Sequence, residues 1–155
     1  MNEHPPDVLE LLVRHELAIK RLYETFAGLF PHRSDFWRRL ASEEQKHADW
    51  LTALQSGSMG QQFMLESHLK AEAISLSIAY VDDQSRKAAA GNFSAMEALA
   101  IARDIENALL EKQFSKLRNT GSSALKSAVM NLAAETEKHR SALVQAIFSE
   151  QKERS

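Results

Sequence analysis

Apolar and polar residues alternate along this chain with a helical period in four long stretches. From about Asp7 to Phe30, Leu9, Leu12, Val13, Glu16, Ile19, Tyr23 and Ala27 recur at spacings that place them on one face of a helix. Pro5 and Pro6 precede this stretch, and Pro31 stops it. After a short turn, with Ser34 as the expected N-cap, a second helix runs to about Gln55 with Trp37, Leu40, Glu44, His47 and Leu51 inward. Residues 56–60 (SGSMG) break the pattern. A third helix is predicted over about 94–118, opened by the capping box Ser94-Ala95-Met96-Glu97 and closed by Asn119-Thr120-Gly121. A fourth begins near Ser122 or Ser123 and runs over about 123–148, leaving a frayed charged tail, SEQKERS. Residues 61–92 are also helical in pattern, and about 22 helical residues reach roughly 33 Å, the length of one bundle helix. The whole predicts one all-α domain over 1–155: two helical hairpins joined by a long helical crossover, a ferritin-like way of building a four-helix bundle.

Composition narrows the chemistry. The 155 residues hold 44% hydrophobic residues, 5 Gly and 3 Pro, which suits helices throughout. The net charge of −2 arises from interspersed charges without a basic block, so neither a nucleic acid nor an anionic membrane is an expected partner. With 0 Cys, thiolate catalysis, disulfides, thiolate-bound zinc and thiolate-ligated iron–sulfur centres are excluded. The acidic N-terminus does not read as a signal peptide, and no apolar run approaches the roughly 18 residues that span a membrane. A cytoplasmic protein is the expectation.

Polar residues on the apolar stripes carry the candidate chemistry. Glu44 and His47, three apart in LASEEQKH (residues 40–47), project from one helix face and can offer a carboxylate and an imidazole to one metal ion. The octapeptide is echoed by LAAETEKH at 132–139, but there Thr136 stands three before His139. Glu16 lies roughly 21 Å below the first hairpin turn and His47 roughly 20 Å below it, so they meet at one level. Glu106, His139 and Glu135 or Thr136 fall near one level in the second hairpin. Ionised carboxylates inside a bundle are costly, so they pair, protonate or bind metal. Carboxylates with imidazoles suit iron, manganese or zinc, and bridging Glu on helices suits two ions.

These five positions, with Tyr23 seven residues after Glu16, resemble the di-iron carboxylate bundles of rubrerythrin type, and secondarily those of bacterioferritin type, over about residues 7–148. The resemblance implies Glu16 and Glu106 as terminal ligands, Glu44 as a bridging ligand, and His47 and His139 as the imidazoles. It further implies two iron ions oxidised by peroxide or dioxygen, an external electron donor and a homodimer. Several positions depart from the pattern. Thr136 replaces the second bridging Glu, and Glu135, four before His139, is the candidate substitute. Arg103 can pair with Glu106, and Gln113 stands where Tyr23 predicts an aromatic, which comes one residue later as Phe114. Gln45 in place of a haem-binding Met and the Glu-to-Glu spacing of 28 in the first hairpin disfavour haem and a storage cage.

Two functions remain open at this point. One is a metal-dependent oxidoreductase or iron-binding protein. The other is a bundle whose site has decayed through Thr136 and which serves as a structural or interaction module. His4, His15, His32 and His68 have no spacing partners and read as surface or capping residues. Tyr23 and Phe114 read as core aromatics, with Tyr23 placed to hydrogen-bond a ligand carboxylate; Phe36, Trp37 and Trp50 read as core packing.

Overall fold

The computed structural model describes residues 7–57, 69–114 and 123–154. All regular structure among them is helical: α1 (Val8–Leu29), α2 (Ser34–Ser56), α3 (Ala71–Ala89), α4 (Ala95–Ala108), a π-helical segment (Leu109–Phe114) and α5 (Ser123–Arg154). The sequence-predicted boundaries at Arg118, Ser122 and 119–121, and the first part of the 61–92 segment, lie outside the described residues.

Local chemistry explains where the helices begin and end. The Asp7 side chain accepts the Glu10 backbone N–H at 2.7 Å, which satisfies one of the free donors of the first turn of α1. Phe30 closes that helix through its N–H to the Phe26 carbonyl, and Pro31 cannot extend it. A short 3₁₀ turn, Pro31–Arg33, leads into α2, so Ser34 is the first residue of that helix rather than its N-cap. At the end of α3 the Gly91 N–H bonds the Ala88 carbonyl and the Asn92 N–H bonds the Lys87 carbonyl. This is a Schellman closure, and it requires the φ of +79° that Gly91 adopts. Two residues later Ser94 and Glu97 form the expected capping box of α4.

Side-chain contacts fix the helix directions. Asp7–Gln55 and Lys20–Gln45 make α2 antiparallel to α1. His15–Ser77 and Arg21–Asp82 make α3 parallel to α1, so α3 carries the chain back along the length of the first hairpin. Tyr23–Glu106 and His15–Gln113 then run α4 antiparallel to α1, and Glu44–His139 with Arg33–Glu150 run α5 antiparallel to α2.

The core forms two apolar zones with a polar layer between them. Toward the α1–α2 turn, Tyr23, Phe26 and Trp37 pack ring to ring, with centroids 5.4 Å (Tyr23–Trp37) and 4.8 Å (Phe26–Trp37) apart, beside Leu40, Leu99 and Leu143. Toward the other end lie Leu9, Leu12, Leu51 and Val129. Burial of each large apolar side chain contributes about 1.5–3 kcal/mol, and these zones offset the cost of the polar layer.

Two further sequence expectations are corrected. The tail does not fray at Phe148: α5 continues to Arg154, because Glu150 is buried and accepts from Arg33 Nε at 2.9 Å, with His32 Nε2 at 3.1 Å. The third helix does not stay α-helical toward Arg118: from Leu109 it widens into a π segment that absorbs one extra residue. Seven residues separate Glu16 from Tyr23 but eight separate Glu106 from Phe114, and this wider turn spans the difference, leaving Phe114 buried.

Candidate metal centre

The polar layer is built by four helices. Glu16 comes from α1, Glu44 and His47 from α2, Glu106 from α4 and His139 from α5, and all five are buried. They form two overlapping trios, Glu16–Glu44–His47 and Glu44–Glu106–His139, in each of which the potential ligand atoms lie within 4.8 Å of one another. Glu44 belongs to both. The two imidazoles stack with ring centroids 5.3 Å apart.

Hydrogen bonds hold one side of several of these groups and leave the other side bare. Tyr23, fully buried, donates its hydroxyl to Glu106 Oε1 at 2.8 Å. His139 Nδ1 lies 3.0 Å from Glu44 Oε1 and 3.6 Å from Glu106 Oε1, while its Nε2 faces Glu43 Oε1 at 2.7 Å. His47 Nδ1 is 3.5 Å from Glu44 Oε2 and 3.8 Å from Glu16 Oε2. Glu16 Oε2, Glu44 Oε2, Glu106 Oε2 and His47 Nδ1 are buried without any hydrogen-bond partner. Buried polar atoms are nearly always satisfied, so four orphans in one layer demand an explanation.

Charge makes the demand sharper. Among the described residues no Arg or Lys is paired with Glu16, Glu44 or Glu106; Arg103 turns to Asp104 at 3.2 Å. Burial, reinforced by the Glu44 charge, pushes the Glu16 carboxyl up to about 8. Burial opposes protonation of His47, but the Glu16 and Glu44 carboxylates outweigh it and lift the imidazole to about 10. The same contest, won by Glu106 and Glu44, lifts His139 to about 11. Burial and then Glu106 hold the Tyr23 hydroxyl well above its ordinary value, so it remains a donor. Without a cation the layer therefore retains protons that ordinary Glu and His release.

The donor set fits a metal: three carboxylates and two imidazoles, with the free atoms among those that a cation would meet. If a metal takes His139 Nδ1, its Nε2–H remains on Glu43, which fixes the tautomer and the ring orientation.

Of the sequence-predicted site residues, Glu16, Glu44, His47, Glu106 and His139 are brought together and Glu135 is not. Glu135 is half-buried and faces Lys138 Nζ at 3.5 Å on the same helix. It sits four before His139, as Glu43 sits four before His47, and this position points to the flank of the layer. Thr136 is buried, and its hydroxyl donates to the Leu132 carbonyl one turn back at 3.0 Å.

Sequence reasoning missed Glu43, which reads as one more polar residue in SEEQK. The signal was the repeat itself, since Glu43 and Glu135 are its matched carboxylates. His15 was also misread. It is buried, not superficial, between Ser77 Oγ at 2.9 Å and Gln113 Nε2 at 3.0 Å. Gln113 thus gives His15 a hydrogen-bond partner that a Phe at this position could not supply. His32 serves the Glu150 contact, and His4 and His68 lie outside the described residues.

No helix among the described residues is long and apolar enough to cross a membrane. No protein-family model, curated protein or solved structure matches this chain significantly.

Proposed function

We propose that this chain is a rubrerythrin-like carboxylate protein of ferritin fold that binds two iron ions in its buried polar layer. In this reading α1, α2, α4 and α5 are the four-helix bundle and α3 is the crossover. The observation that carries it is the group of four buried, partnerless atoms: Glu16 Oε2, Glu44 Oε2, Glu106 Oε2 and His47 Nδ1. Glu16, Glu44 and His47 would hold one ion, and Glu44, Glu106 and His139 would hold the other. Bound ferrous iron would supply the electrons for reduction of peroxide or dioxygen. The protein's own part is positional. Tyr23 steadies Glu106, Glu43 steadies His139, and the apolar zones on either side limit access of bulk water. Thr136 contributes no carboxylate, so Glu44 is the carboxylate that both trios share. These 155 residues hold 0 Cys and so no thiolate-ligated redox centre, and re-reduction of the ions would draw on an electron donor outside them.

A second reading has its own observation. His139 spans Glu43 and Glu44 and ties α5 to α2 without any metal, as a bundle with a purely structural polar layer would. Anaerobic reconstitution with ferrous iron separates the two. Two tightly held equivalents, oxidised on addition of peroxide or dioxygen, are expected for the first reading. Failure to retain ferrous, manganous or zinc ions overturns it in favour of the second. One equivalent of zinc or manganese alone would reduce the proposal to a single-ion site.

A further inference from the structure

Two cavities meet at one side chain. Outside the metal layer, α1, α3 and α4 with its π extension enclose about 540 Å³, and the exposed residues Ala73, Leu76 and Tyr80 line this space. A second space of about 10 Å³ lies inside the bundle, among Leu12, Leu51, Phe114, Val129 and Leu132. Its size is about that of one water-sized sphere. His15 lines the larger cavity, and Glu16, the next residue on α1, lines the smaller. Gln113 lines both, and its amide nitrogen is bonded to His15 Nδ1 at 3.0 Å. Beyond Gln113, therefore, stands a carboxylate of the metal layer, and Glu16 Oε2 has no hydrogen-bond partner.

The π segment puts Gln113 in this place. Its wider turn buries the consecutive residues Gln113 and Phe114, with Phe114 lining the smaller space and Gln113 standing between the two. The lining of the smaller space decides what can pass. Its polar side chains are Glu16 and Gln113, and the Gln113 nitrogen is already taken. A hydrated cation, or peroxide, would give up hydrogen bonds there that Leu, Val, Phe and Trp side chains cannot replace. Dioxygen has no such bonds to lose and gains by leaving water for an apolar space.

We propose that dioxygen is the oxidant and that it reaches the metal layer from the larger cavity past Gln113, whose side chain restricts the passage. Rotation of Gln113 away from His15 breaks one hydrogen bond, a small cost beside the stability of the fold, and joins the two spaces. The choice of oxidant rests on the two-iron reading of the layer, whereas the route belongs to the chain itself and does not depend on metal loading.

Dissolved dioxygen is paramagnetic and speeds the relaxation of methyl groups that it approaches, so the route can be tested on the full chain without iron. Under dioxygen pressure the methyls of Leu12, Leu51, Val129 and Leu132 should relax faster than those of Leu22, Leu40, Leu99 and Leu143, which are also buried. Gln113→Ala should raise this enhancement and Gln113→Phe should lower it, with the helical circular dichroism unchanged. Leu132→Phe, which fills the smaller space from α5 without touching the Gln113–His15 bond, should also lower it at the remaining methyls. In the iron-loaded protein the rate of oxidation by dioxygen should follow the same order over at least ~3-fold, with oxidation by peroxide changing less. Failure to hold iron with the enhancement intact overturns the two-iron reading and not the route. Absence of the enhancement, or one indifferent to both Gln113 variants because entry is beside the half-buried Trp50, overturns the route. Equal effects on the two oxidants overturn the choice of dioxygen.

Discussion

At the scale of single residues, the two trios make unequal demands on their members. Glu44 serves both, whereas Glu16 serves one. Glu16→Gln should therefore cost one bound ion and Glu44→Gln both, as read by metal analysis after reconstitution and desalting; equal losses would refute a shared carboxylate. Glu43 touches only the far nitrogen of His139. Glu43→Ala should weaken binding at that position by ~10–100-fold without removing a ligand, in line with the loss of a carboxylate behind a metal-bound imidazole. Thr136 is the informative gain-of-function site. It is buried one turn before His139, and its hydroxyl is spent on Leu132. Thr136→Glu adds a fourth carboxylate to a layer in which, among the described residues, no Arg or Lys pairs with the three already there. The metal-free variant should lose about 3 kcal/mol or more in urea unfolding, the order expected for a buried unpaired charge. Its metal-loaded form should recover that loss and hold the second ion more tightly; recovery without metal would mean that the new side chain points elsewhere.

At the scale of helices, what could be read from the sequence was what local rules control. The inward stripes of α1 and α2, the stop at Pro31 and the Ser94–Glu97 box depend on residues within a turn or two of one another. Glu16, Glu44, His47, Glu106 and His139 were legible for a related reason: polar residues at helical spacing on apolar stripes stand out. The extension of α5 to Arg154 was not legible, because its cause, Arg33 with His32, lies 117 and 118 positions from Glu150. The π segment was visible only as an aromatic one residue late, a symptom that periodicity alone cannot assign. The α5 extension can be tested. Arg33, and then His32, hold the Glu150 carboxyl below its ordinary range. Its contribution is thus fully present above the unfolded carboxyl value near 4.5 and is lost as pH falls through the lower folded value. Glu150→Ala should cost about 1–3 kcal/mol at neutral pH and speed amide exchange over 149–154, with the difference from wild type shrinking below pH ~4. Unchanged exchange in that segment would show that packing of Leu143 and Ile147 suffices to hold the end of α5.

At the scale of the whole molecule, two apolar zones flank a layer that retains protons when no cation is present and whose Glu/His groups could hold a metal instead. In the metal-free state His47 and His139 have folded values near 10 and 11, above the ordinary 6.5. Their stabilising contribution is complete below about pH 6.5 and is lost as pH rises through those higher values. Glu16 acts in the same direction. Its folded value near 8 means that the unfolded chain ionises above about 4.5 while the folded chain resists, so a penalty accumulates up to about pH 8. Over this whole window the folded state binds more protons than the unfolded one, and metal-free stability should fall with rising pH. Metal offsets the slope, since the same groups must release their protons to bind it and affinity therefore grows with pH. Because a ligand bound only by the folded state stabilises it by RT ln(1 + [L]/Kd), the loaded protein should gain what the empty one loses. Melting temperatures at pH 5, 7 and 9 in chelator and in excess zinc or anaerobic ferrous iron should form diverging lines, nearly together at pH 5 and farthest apart at pH 9. Parallel lines would mean that the protons of this layer and the metal do not compete for the same atoms, and the assignment of Glu16, His47 and His139 as ligands would fall with them.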